Sequence, residues 1–201
     1  MASKVTRSFF VMFLLSSVSL YAQTISLVET TCSNIMSGAA LERLRNESEV
    51  HVQVDAVLKK AEKNLGAILT IKDGRADLSQ PRVDGTRFVA FITADYTEKL
   101  RILTVSNMFV REDARNKGIS AALLAAELAK HPSTEVIFTT ALLYDNEDKL
   151  RQYLDAGYSV IDAVKETWAY KIRAQFGFTE IMPESIHMTD GKYGFGVRRP
   201  R

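Results

Sequence analysis

One segment constrains this chain more than any other. An apolar run from Leu103 to Val110 ends in the charged turn Arg111-Glu112-Asp113-Ala114-Arg115-Asn116-Lys117-Gly118-Ile119-Ser120, and an apolar-periodic stretch follows from Ala121 to Lys130. Strand, glycine-containing turn and helix, in that order, put a row of free backbone N–H groups at a helix N-terminus, which is a ready anion site. Gly118 lets the backbone come close to a phosphate, and the small Ser120 keeps the turn open. On its own, Arg-x-x-Gly-x-small also describes an ordinary strand–helix turn.

A second segment narrows the choice. After the strand-like run Glu135 to Leu142, the chain reads Asn146-Glu147-Asp148-Lys149-Leu150-Arg151-Gln152-Tyr153-Leu154-Asp155-Ala156-Gly157-Tyr158. Tyr153 stands seven residues after Asn146, and Gly157-Tyr158 stand eleven and twelve after it. Together the two segments, about a quarter of the chain, resemble the GCN5-related N-acetyltransferases (GNAT family). The resemblance implies an α/β fold of acyl-CoA N-acyltransferase type, a central mixed sheet with helices on both faces. It also implies transfer of an acetyl group from acetyl-CoA to an amine by direct attack in a ternary complex. Acetyl-CoA would be the co-substrate and an unidentified amine the acceptor, with no metal.

The same resemblance assigns candidate residues. The main chain of Met108 and Val110 would hold the pantetheine arm, with the Met108 amide polarising the thioester carbonyl as an oxyanion hole does. The phosphates would sit on the N–H groups of Asn116, Lys117, Gly118, Ile119 and Ser120, with Arg115 adding charge. Tyr153 would donate a proton to the departing thiolate. Asn146 would cap its own helix and hydrogen-bond the cofactor arm. Many family members carry a Glu nine residues before the motif Arg. Here Ser106 occupies that position and Asn107 follows, and neither is a base near neutral pH. A water held by Ser106 and Asn107 would take the amine proton, with Asp95, Tyr96 and Glu98 on the preceding turn as other acceptors. This departure keeps a second reading open, a non-catalytic protein of the same fold that binds CoA or another ligand in the same cleft. His51 and His187 lie outside the motifs.

Composition excludes more than it adds. A net charge of +2 over 201 residues, with 25% charged, gives no electrostatic footprint for nucleic acid. The single Cys32 forms no internal disulfide. At the N-terminus, Lys4 and Arg7 precede the apolar Phe9 to Leu15, and small residues lead to Ala22-Gln23. This is the pattern of a secretory signal peptide cleaved after Ala22, and it is shorter than the roughly 20 residues of a stable bilayer anchor. Residues 1–22 are therefore read as a signal and 23–201 as the acetyltransferase-like domain, secreted or periplasmic. The alternative is an apolar N-terminal helix on a cytoplasmic protein. Asn46-Glu47-Ser48 is a glycosylation triplet, relevant only in a eukaryotic source. Acetyl-CoA is a cytosolic metabolite, so a secreted chain would meet it only after delivery into another cell.

The remaining elements follow from local pattern. Ile25 to Thr30 reads as a strand and Ser37 as the cap of a helix from Ala39. Val52 to Asn64 reads as a second helix, and Ala67 to Ile71 as a strand ending at Asp73-Gly74. Asp77 to Gln80 and Pro81 read as a loop, and Phe88 to Thr93 as a strand. Val160 to Val164 and Gly191 to Val197 are expected as the last strands. Between them, Trp168 to Phe178 reads as an inserted short helix ending in another Gly-aromatic pair, or alternatively as a cover for the acceptor site.

Overall fold

The computed structural model describes residues 54–143 and 145–200, all within the unit Glu47–Arg201. The expectations for residues 1–22, Ile25 to Thr30, Cys32, the Ser37-capped helix, Asn46 and His51 lie outside the described residues.

Residues 54–65 form helix α1, whose Val54, Val57, Leu58, Ala61 and Leu65 repeat at helical spacing and meet the core. Gly66, at φ 71°, ends it. Strands β1 (Leu69–Lys72) and β2 (Arg75–Leu78) are an antiparallel hairpin. Its two turn residues, Asp73 and Gly74, both have positive φ, 48° and 73°, the geometry that matches strand twist. That tight reversal corrects the sequence expectation of a loop from Asp77, because the chain re-enters the sheet at once.

Strand β3 (Phe88–Thr97) returns through a 3-10 turn at Glu98–Leu100 into β4 (Ile102–Val110). Helix α2 (Ile119–Lys130) then crosses to β5 (Val136–Thr139). Three helices follow, α3 (Asp145–Asp155), α4 (Val160–Lys165) and α5 (Trp168–Ala174), before β6 (Glu180–Thr189) and β7 (Lys192–Arg198). The seven strands form one sheet in the order β1-β2-β3-β4-β5-β7-β6. Only β4 and β5 are parallel neighbours, so the sheet is mixed, and α2 is the crossover that a parallel pair requires. Leu103, Ile119, Leu123, Leu124, Ile137, Leu150, Phe178 and Phe195 are fully buried where the helices meet the sheet.

Two further elements differ from the sequence reading. Val160 to Val164, expected as a strand, is helix α4. Ser159 Oγ accepts the Asp162 N–H at 3.2 Å and donates to its carboxylate at 2.7 Å, a reciprocal cap that outweighs the β-branched residues. Strand β6 was not anticipated because Pro183 interrupts it. It is an edge strand whose register to β7 breaks between Met182 and His187, which is where a proline can be tolerated.

Candidate functional site

The sheet forks between β4 and β5. Their pairing covers only Ile102–Val105 against Val136–Thr139 and closes with Thr140 N–H donating to Val105 O at 3.3 Å. On its other edge β4 stays paired with β3 as far as Val110, opposite Ala90. Among the described residues, no strand pairs with the other backbone edge of residues 106–110.

A bulge decides which groups that edge presents. Thr93 pairs with Asn107 and Ala94 with Val105, leaving Ser106 as the extra residue. Successive residues of a strand direct their N–H and C=O to alternate edges. Val105 faces β5, so an unbroken strand would turn Met108 and Val110 toward β3. The extra residue reverses this. Arg111 N–H donates to Val89 O on β3 at 2.9 Å, which leaves the amides of Val110 and Met108 on the free edge. Ser106 Oγ donates to Thr93 O at 3.2 Å, closing the bulge from the far side.

Beyond Val110 the turn is braced by ion pairs. Arg111 Nε lies 2.7 Å from Asp113, and Arg82 pairs with the same carboxylate. These hydrogen bonds hold Asp113 below the usual carboxylate range. Asn116 and Gly118 take positive φ, 60° and 88°, and swing the chain into α2. Gly118 is the N-cap and supplies no side-chain bond, so the first N–H groups of α2 are left for a ligand. Arg115 reaches back, Nε donating to Val110 O at 3.4 Å and Nη1 to Asp145 Oδ2 at 3.2 Å.

The free edge, the turn and α5 enclose a cleft of about 500 Å³, within the size range of ligand pockets. Of the residues singled out from sequence, Ser106, Asn107, Met108, Val110, Arg115, Asn116, Gly118, Ile119, Ser120 and Asn146 all line it. Lys117 does not; its carbonyl accepts from Asn64 Nδ2 at 3.4 Å. Tyr153 is not brought to the cleft either. It is half-buried on α3, edge-on to Tyr158 at 5.0 Å, with Lys149 Nζ 5.0 Å from its ring. Asn146 does not cap its own helix. It lies inside the first turn of α3, and its Oδ1 accepts the Ala169 N–H of α5 at 2.8 Å. His187 is structural, its ring nitrogens 3.0 and 3.1 Å from the carbonyls of Ser185 and Thr140.

Helix α5, the short helix expected in the Trp168 to Phe178 segment, forms one wall of the cleft, but the part its Arg173 plays was not anticipated. Trp168, Ala169, Ile172 and Arg173 line the cleft, and Trp168 is exposed at its edge. The signal was present in the second Gly-aromatic pair. Gly157-Tyr158 leads into a helix, whereas Gly177-Phe178 leads into strand β6. Arg173 stands four residues before Gly177, as Tyr153 stands four before Gly157. Arg173 is 2% exposed. Burial draws its guanidinium down to about 10. Among the described residues, no cluster of three or more His, Cys, Asp or Glu is placed to hold a metal ion.

No protein-family model matches the chain, and no curated protein matches it. Among solved structures it is similar to nourseothricin acetyltransferase at 16% identity, covering 64% of this chain and 66% of that one, with a TM-score of 0.33. Ard1 from Thermoplasma volcanium aligns at 16% identity over 73% and 89% of the two chains, with a TM-score of 0.32. Diaminobutyrate acetyltransferase EctA from Paenibacillus lautus aligns at 16% over 63% and 70%, with a TM-score of 0.33. These are remote likenesses.

Proposed function

We propose that this chain is an N-acetyltransferase of the GCN5-related type, moving an acetyl group from acetyl-CoA to an amine. The observation that carries the reading is the bulged, half-unpaired β4 running straight into the uncapped N-terminus of α2. A strand edge with free amides suits the amide-rich pantetheine arm. The helix N-terminus, with Arg115 beside it, suits the pyrophosphate. The two are continuous in one cleft, so a ligand that is an extended amide arm at one end and an anion at the other fits both.

The amine nitrogen attacks the thioester carbonyl carbon, the C–S bond breaks, and the thiolate leaves with the bonding pair and takes a proton from water in the open cleft. The Met108 N–H, on the free edge, stabilises the oxyanion formed on the way; one such donor is typically worth about 3 to 4 kcal/mol. The amine proton passes to water held at the bulge by Ser106 and Asn107. One observation favours the second reading, a non-catalytic protein that binds another ligand here. Asp145 already pairs with Arg115 at 3.2 Å, and a phosphate must displace it. Secretion after cleavage at Ala22 remains a proposal from sequence. Incubating the purified chain with acetyl-CoA and a panel of amines, and following CoA release, tests the enzymatic reading. Saturable binding without release on any amine would favour the second.

A further inference from the structure

Four buried side-chain polar atoms lack a hydrogen-bond partner among the described residues: Asn107 Oδ1, Thr139 Oγ1, Arg173 Nε and Arg198 Nε. The last belongs to a guanidinium already paired with Glu180. The other three all line the cleft. Buried polar groups are nearly always satisfied, so three orphans in one place point to a ligand that completes them.

The register gathers them at the fork. Thr139 is the partner of Val105 on one side and of Phe195 on the other. Asn107 follows the bulge and pairs with Thr93, whereas Val105 pairs with the adjacent Ala94, so the two side chains leave opposite faces of β4 at the open fork. The Arg173 guanidinium stands 5.7 Å from the Phe195 ring centroid. Arg173 Nη1 donates to Ala169 O, its own helix backbone. That leaves the edge formed by Nε and Nη2, the side-on fork that receives two oxygens of a carboxylate. Arg173 forms none of the ion pairs found among the described residues. A buried guanidinium without a counter-charge is strongly unfavourable, and an incoming anion relieves it. The Thr139 hydroxyl adds a donor for the same anion, whereas Asn107 Oδ1 is an acceptor and suits an amine N–H.

We propose that the acceptor is an aminocarboxylate, its carboxylate held by Arg173 and Thr139 and its amine directed toward Asn107 and the bulge. The proposal rests on the acetyltransferase reading and names the substrate class of that same cleft. An amino acid carries a carboxylate and an amine on one small molecule, the two groups that an unpaired guanidinium and an unpaired carbonyl oxygen would receive. A plain amine would leave the guanidinium buried and unpaired, and a site built for a hydrogen-bonded group discriminates strongly against analogues that lack it.

The test uses the full chain. Acetyl-CoA affinity is measured by calorimetry. CoA release is then followed with the common L-amino acids, their carboxamides and the matching decarboxylated amines. The expected result is a preference in kcat/KM for at least one amino acid over its carboxamide of about tenfold or more. Arg173→Met should bring that ratio close to one through KM, with acetyl-CoA affinity unchanged, and Arg173→Lys should restore part of it. If Arg173→Met fails to fold, Thr139→Val serves, with a smaller loss in the same direction. Acetyl-CoA binding with equal turnover of acids and amides, or with no turnover of any aminocarboxylate, overturns the inference and leaves the acetyltransferase reading standing. So does an Arg173→Met variant whose kcat falls equally on every acceptor, which would assign the guanidinium to the departing thiolate. Failure of acetyl-CoA to bind removes the acetyltransferase reading and this inference with it.

Discussion

Replacing Gly118 by alanine isolates what the turn before α2 contributes. Gly118 sits at φ 88°, and a Cβ there would lie 3.9 Å from the Cα and Cβ of Ala61, an ordinary contact. Steric conflict is therefore absent, and the penalty is that of an L-residue held in left-handed backbone, about 1 to 2 kcal/mol. Stiffening of the unfolded chain offsets about 0.4 to 1 kcal/mol of that. The net loss of about 1 kcal/mol should lower Tm by roughly 2 to 4 °C in a domain of this size. The effect on binding should be larger. If the turn relaxes toward negative φ, the N–H groups of Ile119 to Ala121 lose their aim. One hydrogen bond to a charged group is worth about 1.5 to 3 kcal/mol, which is roughly a ten- to hundredfold weaker Kd. Thermal melts and calorimetry with acetyl-CoA measure both effects. An unchanged acetyl-CoA Kd would refute the role given to this turn, and a Tm drop far beyond the expected range would mean a clash that the geometry does not contain.

Arg173→Met should keep or raise stability while it removes acceptor discrimination. Burial disfavours the charged guanidinium, drawing it down to about 10, and an apolar residue of similar volume in place of a buried unpaired charge is often neutral or stabilising. Tm should therefore hold or rise, and a clearly lower Tm would count against an unpaired buried charge. Tyr153→Phe should change turnover by less than about threefold, because its ring lies outside the cleft lining; a fall of about 10² to 10⁴, the size of positioned proton transfer, would return it to the reacting centre. Mature protein made in its own host should begin at Gln23, and N-terminal sequencing that finds Met1 on all of it would exclude cleavage.

The part of the fold that was legible in sequence is the part whose signals are local. The run Leu103 to Val110, the turn through Gly118 and the apolar α2 carry their own strand, glycine and helix signals, and the structure has all three in place. The free edge that presents Met108 and Val110 comes from the bulge at Ser106, which has no mark in the sequence and exists only in the pairing with β3. What could not be read depended on tertiary choice. Val160 to Val164 looks like a strand by its β-branched residues, and the Ser159–Asp162 cap reverses that preference. Pro183 hid an edge strand. Asn146 looked like a cap for its own helix but serves the N-terminus of α5, twenty-three residues away. Two Gly-aromatic pairs competed for one role. Only the sheet shows that the second pair leads into a strand, which brings Arg173 rather than Tyr153 to the cleft.

Amide hydrogen exchange, with and without acetyl-CoA, tests the central claim most directly. The account places the N–H groups of Met108 and Val110 on an unpaired strand edge, and those of Ile119 to Ala121 at an uncapped helix start. All should exchange rapidly in the free protein and become protected at saturating acetyl-CoA, whereas Phe109, whose N–H faces β3, should be slow in both states. Saturating acetyl-CoA that leaves Met108, Val110 and the start of α2 exchanging as in the free protein would contradict the account.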